Sequence, residues 1–201
     1  MEKMTSKETI IYGGAFNPPT RAHQAILQAC VEYAEPRQAD VWLLPSASRV
    51  DKAINVDRDD RVAFCTALTK DVIHRTVQLA VETTELDRAQ LTETYDTVQE
   101  LSARYPERSF TWVFGADSVA TMRTWDHGDW LQDHLSMLVI NRPGTPLPRL
   151  GPKAVELAVN AGNFSSTELR QRLADGAAYD DMVGAEVGSL LRARSAMLEA
   201  C

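Results

Sequence analysis

Cysteine is scarce in this sequence: Cys30, Cys65 and Cys201 are the only three among 201 residues. An odd number at wide spacing supports neither a disulfide framework nor a zinc site. Cys30 and Cys65 lie inside helical patterns and read as small core residues. Long apolar runs are missing too. None approaches the roughly 20 residues that cross a bilayer, and the opening "MEKM" lacks the apolar segment of a secretion signal, so a cytoplasmic protein with no membrane partner is expected. Positive charge is also short, with 21 Lys and Arg against 28 Asp and Glu, a net charge of −7. That balance argues against a general nucleic-acid surface and makes any phosphate site a local one. Neither G-x-G-x-x-G nor G-x-x-x-x-G-K-[ST] occurs, which removes the common dinucleotide fingerprint and the P-loop. No repeat, low-complexity tract or Pro/Gly/Ser-rich linker divides the chain. One domain is expected over residues 1–201, with a core at about 8–142 and a helical part at about 164–201.

What the sequence does have is alternation. Short apolar, β-branched runs at Thr9–Tyr12, Val41–Leu44, Val77–Val81, Phe110–Phe114 and Met137–Ile140 are nearly continuous, as in strands buried on both faces. Val155–Val159 offers a last strand. Between them lie helical patterns: Ala22, Ala25, Ile26, Ala29 and Tyr33; Val62, Phe64, Cys65 and Leu68; Tyr95, Val98 and Leu101. Such alternation predicts an α/β fold, a Rossmann-like doubly wound parallel sheet of about five to six strands with helices on both faces. Ligands then sit outside the carboxyl ends of the strands. The segment "PGTPLPRLGP" (Pro143–Pro152) has four prolines in ten residues and reads as a surface connection. Beyond it, Ser165–Ala174 and Met182–Leu198 read as helices of a small C-terminal annex.

Two stretches carry chemistry. In "YGGAFNPPTRAHQ" (Tyr12–Gln24), Gly13 and Gly14 follow the first strand, Pro18 and Pro19 set an extended entry, and Thr20 is placed to cap a helix with His23 at its third position. The glycines alone mark no more than a strand-ending turn. A helix N-terminus, however, offers free N–H groups and about half a positive charge, and His23 projects into that anion-favouring place. The same environment lowers a histidine's pKa, so His23 is expected to be a neutral donor until phosphate binds. In "FSSTELRQRL" (Phe164–Leu173), Ser165 and Glu168 have capping-box spacing, which by itself needs only a surface helix. Three hydroxyls, Ser165, Ser166 and Thr167, nevertheless stand beside free N–H groups, with Arg170 leaning back toward them.

Together these stretches resemble the paired motifs of the nucleotidyltransferase superfamily that carries G-[GS]-x-F-[DN]-P-x-[HT]-x-x-H and an I-S-S-T-x-x-R-like segment. Between them "PSASRVDK" (Pro45–Lys52), "TETYDTVQEL" (Thr92–Leu101), "FGADSVATMRTW" (Phe114–Trp125) and "INRPG" look like successive blocks of the nicotinate/nicotinamide mononucleotide adenylyltransferases. The resemblance implies transfer of AMP from ATP to the 5′-phosphate of a pyridine mononucleotide, giving a dinucleotide and pyrophosphate, a step of NAD biosynthesis. It implies that Thr20 and His23 hold ATP phosphates and that Arg170 holds the departing β- and γ-phosphates, with Ser165, Ser166 and Thr167 at the same end. Main-chain contacts near the reacting phosphates fall to Gly14, Ala15 and Phe16. Gly115 and Asp117 would meet ribose, Lys52 the mononucleotide phosphate, and Thr94 and Trp125 the pyridine ring. Mg²⁺ is implied with ATP rather than by any protein ligand set. Asp126, His127, Asp129, Asp133 and His134 follow no metal-site spacing and read as a solvated loop and helix face.

The chain departs from the pattern in three places. Thr20 stands where many bacterial members carry His. Glu93 replaces the aromatic residue that often precedes the threonine, and Leu91 supplies no ring. The connection from Pro143 to Phe164 is short, which bears on the adenine pocket and on any homo-oligomer interface. Two other readings remain open on sequence: a related transferase acting on phosphopantetheine or an alcohol phosphate, and a catalytically silent nucleotide-binding module.

Overall fold

Apolar runs without alternation become strands buried on both sides. The protein, described by a computed structural model over residues 7–47, 56–88, 93–141 and 145–199, forms one parallel six-stranded sheet in the order β3-β2-β1-β4-β5-β6. Its strands are β1 (Lys7–Gly14), β2 (Asp40–Pro45), β3 (Leu79–Val81), β4 (Arg108–Gly115), β5 (Ser136–Asn141) and β6 (Ala154–Ala158). Ile10, Tyr12, Val41, Leu43 and Leu138 face one layer, while their neighbours Ile11, Trp42, Leu44, Met137 and Val139 face the other. Register holds the two sets apart, with Ile10 beside Val41 and Ile11 beside Trp42.

The first layer is closed by α1 (Arg21–Ala34), α2 (Arg58–Lys70) and α7 (Ala185–Glu199), through Leu27, Cys30, Phe64, Cys65, Val187 and Leu191. The second is closed by α3 (Thr94–Arg104), α4 (Ala116–Thr121) and α5 (Gly128–His134), through Val98, Leu101, Val119 and Leu131. The chain runs from β1 outward to β3, then returns to lay β4 against the other side of β1. Where strand order reverses in this way, the loops diverge and a crevice opens at the carboxyl ends of β1 and β4.

Several expectations are corrected in detail. β3 covers only Leu79–Val81; Val77 is buried without joining it. The core face of α1 is Leu27, Cys30, Val31 and Ala34, whereas the expected Ala22, Ala25, Ile26, Ala29 and Tyr33 are half-buried. Only Arg21 and Glu32 of that helix are exposed, and a helix enclosed on nearly every side has no single apolar stripe to read. The last helix starts at Ala185 rather than Met182, because the carboxylate of Asp71, at the end of α2, accepts the N–H groups of Glu186 (2.8 Å) and Val187 (3.2 Å). Met182 and Val183 are buried ahead of it. Residues 145–152 are irregular, in keeping with their prolines. Among the described residues no helix is long and apolar enough to cross a membrane.

The Asp71 cap ties the C-terminal annex to the sheet layer. Asp71→Ala is expected to cost about 1 kcal/mol, the usual effect of losing a helix cap. In urea titration this appears as a lower midpoint with an unchanged slope.

Candidate active site

The turn leaving β1 is fixed through its carbonyls. Gly14 O accepts the Ser46 N–H at 2.9 Å. Ala15 O accepts Nε and Nη2 of Arg61 at 3.3 and 3.0 Å. Asn17 O accepts Nη1 of Arg170 at 2.7 Å, and Pro18 O accepts the Ser166 hydroxyl at 2.8 Å. The Asn17–Pro18 peptide is cis. The N–H groups of Ala15, Phe16 and Asn17 have no acceptor among the described residues. A turn with satisfied carbonyls and open N–H groups is a donor-rich surface suited to an anion.

Phe16 takes φ 44°, a left-handed conformation that costs a non-glycine residue roughly 1 kcal/mol or more. Its ring is fully buried, 5.3 Å from Tyr12 and 5.4 Å from His23 between centroids. A Cβ on Gly14 would meet the Phe16 ring at 3.1 Å, so the absent side chain makes room for that ring. Above it, the Thr20 backbone N–H donates to His23 Nδ1 at 3.0 Å. Because Nδ1 accepts, the neutral ring carries its proton on Nε2. Burial pushes the His23 pKa down from 6.5 to about 4. Thr20 is itself buried, and its hydroxyl, 3.0 Å from Nδ1, donates to Phe164 O at 3.2 Å. Thr20 therefore acts on His23 and on the approach to α6 (Ser166–Ala174), and its hydroxyl is already engaged.

Ser165 caps α6, its hydroxyl accepting the Glu168 N–H at 3.1 Å. The reciprocal arm of the expected capping box is absent, since the Glu168 carboxylate pairs with Arg172 at 2.7 Å. Arg170 Nη2 reaches Thr167 Oγ1 at 3.2 Å. Arg170 is exposed and meets no carboxylate among the described residues. The starts of α1 and α6 are thus stitched together by the Thr20–Phe164, Ser166–Pro18 and Arg170–Asn17 bonds. Thr20, His23, Ser165, Ser166, Thr167 and Arg170 form one group.

Next to this group, a cavity of about 500 Å³ opens at the strand reversal, lined by Gly13, Gly14 and Ala15, Ser46 and Ala47, Glu85, Glu93, Thr94, Ser118, Thr124, Trp125 and strand residues. Thr94 begins α3, and Trp125 stands edge-on to Phe114 at 6.0 Å. Gly115 stands at the N-cap of α4. Asp117 is exposed in the first turn, and a Cβ on Gly115 would lie 2.4 Å from its Oδ1. Neither lines the cavity. Lys52 lies outside the described residues. No group of three or more His, Cys, Asp or Glu among the described residues is placed to hold a metal ion. Asp129 and Asp133 engage Arg123, and His127 stacks on Tyr95.

Two site residues escaped sequence reading. Arg61 is 3% exposed and braces Ala15 O and Ser46 O; burial lowers its pKa. The signal was a cation at the start of the Arg61-Phe64-Cys65-Leu68 core spacing. Glu85 accepts Thr97 Oγ1 at 2.8 Å and the Ala47 N–H at 3.3 Å, and burial raises its pKa. It sits in a turn without periodicity, so nothing marked it.

Residues 11–172 match the model of the cytidylyltransferase-like family. A protein of Exiguobacterium sibiricum named "Probable nicotinate-nucleotide adenylyltransferase" is 29% identical over 184 residues, covering 90% of this chain and 94% of its own length. A Bordetella avium protein of the same name is 31% identical, covering 83% and 85%. The Plasmodium falciparum nicotinic acid mononucleotide adenylyltransferase complexed with NaAD superposes with a TM-score of 0.76 at 20% identity, over 94% of this chain and 96% of that one.

The depressed pKa of His23 has a signed consequence. Between about pH 6.5 and about pH 4 the unfolded chain binds a proton at His23 that the folded protein excludes, so folding stability falls as pH drops through that window. A His23→Asn variant is expected to lose this part of the decline, read from urea midpoints at each pH.

Proposed function

Because this chain belongs to the cytidylyltransferase-like family of nucleotidyltransferases, we propose that it transfers AMP from ATP to the 5′-phosphate of nicotinate or nicotinamide mononucleotide. A 5′-phosphate oxygen attacks the α-phosphorus, the bond to the β-bridging oxygen breaks, and pyrophosphate leaves. No covalent enzyme intermediate is required, so the protein's task is to hold two anions in line and offset their charge. The observation that carries the reading is the stitched pair of helix starts next to the cavity.

In this reading the triphosphate lies across the N–H groups of the β1 turn and the starts of α1 and α6. His23, neutral and with Nδ1 occupied, donates from Nε2. Already carrying its proton on Nε2, the neutral ring can donate to phosphate near pH 7 without first taking up a proton from solvent. Arg170 stabilises the leaving pyrophosphate with donors that no carboxylate occupies, and Ser165, Ser166 and Thr167 order the same end. Thr20 positions His23. The mononucleotide enters the cavity, its ring toward Trp125 and Thr94, while Lys52 is assigned to its phosphate and Asp117 and Gly115 to ribose at the cavity's edge. Mg²⁺ arrives as part of the ATP substrate and screens phosphate charge; no protein ligand set is assigned to it. The protein is taken to act in the cytoplasm in NAD biosynthesis, with self-association a separate question.

Pyrophosphate release from ATP is expected to require a pyridine mononucleotide. His23→Ala and Arg170→Ala should each lower kcat by roughly a hundredfold or more, the scale on which such donors act, with circular dichroism unchanged. Full turnover in both variants would remove these residues from the site.

A further inference from the structure

Burying a guanidinium is costly unless its donors are met, and Arg61, in the first turn of α2, is 3% exposed. It shares the inward stripe of Phe64, Cys65 and Leu68, which are buried in the core. Standing one turn nearer the helix start, its side chain leans back toward the N-terminus and so reaches the carboxyl ends of β1 and β2. There Nε and Nη2 donate to Ala15 O at 3.3 and 3.0 Å, and Nη2 also donates to Ser46 O. The acceptors are carbonyls of two different loops, an arrangement that a planar fork meets and a single ammonium does not.

These contacts aim two further donors. The Ala15 carbonyl and the Phe16 N–H lie in one trans peptide plane and point in opposite directions, so drawing the carbonyl toward α2 turns the Phe16 N–H away from it. Ser46, held through its carbonyl, gives its own N–H to Gly14 O at 2.9 Å, which sets the Ala15 N–H in the same manner. The Ala15 and Phe16 N–H groups have no acceptor among the described residues, and successive free N–H groups form an anion-binding concavity. On the far side of the turn Phe16, at φ 44°, has its ring against Tyr12 and His23, so the turn is held from both sides. Resting on the adenylyl-transfer reading above, we infer that Arg61 is a positioning residue for the triphosphate of ATP. It acts on phosphate only through Ala15 and Ser46, by aiming the two backbone donors of the β1 turn.

The test compares the wild-type protein with Arg61→Lys, which keeps the charge but not the fork, and Arg61→Met, which keeps only the stem. Binding of ATP and of inorganic triphosphate is read by calorimetry, and KM for each substrate from pyrophosphate release. Both variants are expected to weaken ATP and triphosphate by about tenfold or more, the weight of one hydrogen bond to a charged group. KM for ATP should rise with them, while KM for the mononucleotide stays within about threefold, since the lost donors face phosphate of ATP alone. In wild-type protein labelled with ¹⁵N, inorganic triphosphate should shift the Ala15 and Phe16 amide resonances, a readout that needs no variant to fold. Arg61→Lys binding ATP as tightly as the wild type, KM rising equally for both substrates, or amide resonances that triphosphate leaves unmoved would overturn the inference and leave the transfer reading standing. ATP affinity that depends on Arg61 in this way, with no dinucleotide formed by the wild-type protein, upholds the inference and defeats the transfer reading instead.

Discussion

The site depends on how the turn after β1 is held. Four of its carbonyls are claimed from four directions, by the Ser46 N–H, Arg61, Arg170 and Ser166. Pinning the carbonyls of Gly14 and Ala15 also decides the directions of the Ala15 and Phe16 N–H groups, since each pair lies in one peptide plane, while the Asn17 and Pro18 carbonyls precede prolines that carry no N–H. The turn thereby turns its donors outward, and the left-handed Phe16 is the local strain that this arrangement sustains. The same carbonyls are where α2 and α6, separate in sequence, attach to β1. Turn, helix starts and cavity wall are thus parts of one hydrogen-bonded unit.

That unit sits where it does because the sheet reverses direction at β1. On one side α1 and α6 begin side by side; on the other, α3 and α4 begin across a gap. The two sides differ in chemistry. The first gathers His23, Arg170 and hydroxyls. The second offers Trp112, Phe114 and Trp125 with an acid rim. Neutrality at His23 follows from burial, with its ring against Phe16, and its orientation from the contacts of Nδ1 with the backbone N–H and hydroxyl of Thr20.

Strand and helix order could be read from the sequence because burial on both faces of β1, β2, β4 and β5 leaves continuous apolar runs, while the edge strands β3 and β6 are only half-buried or exposed. The two helix-start motifs were legible because turn and cap chemistry is local: Thr20, His23 and Ser165 hold the positions their spacing predicted. What required coordinates was non-local. Thr20 donates to a residue 144 positions away, and no pattern near it announces that its hydroxyl is engaged. That the bare backbone at Gly14 leaves room for the Phe16 ring shows only in the packing. Arg61 broke an apolar spacing, a clue with no meaning until the carbonyls of two loops were seen to converge on it.

The central claim is that stitched helix starts and cavity serve one group transfer. Its most direct test follows the label from ATP carrying ³²P at the α-phosphorus in the presence of a pyridine mononucleotide. The account predicts that the label appears in a pyridine dinucleotide, in equal amount to the pyrophosphate released. Label remaining in ATP, or emerging as free AMP with no dinucleotide formed, would contradict it.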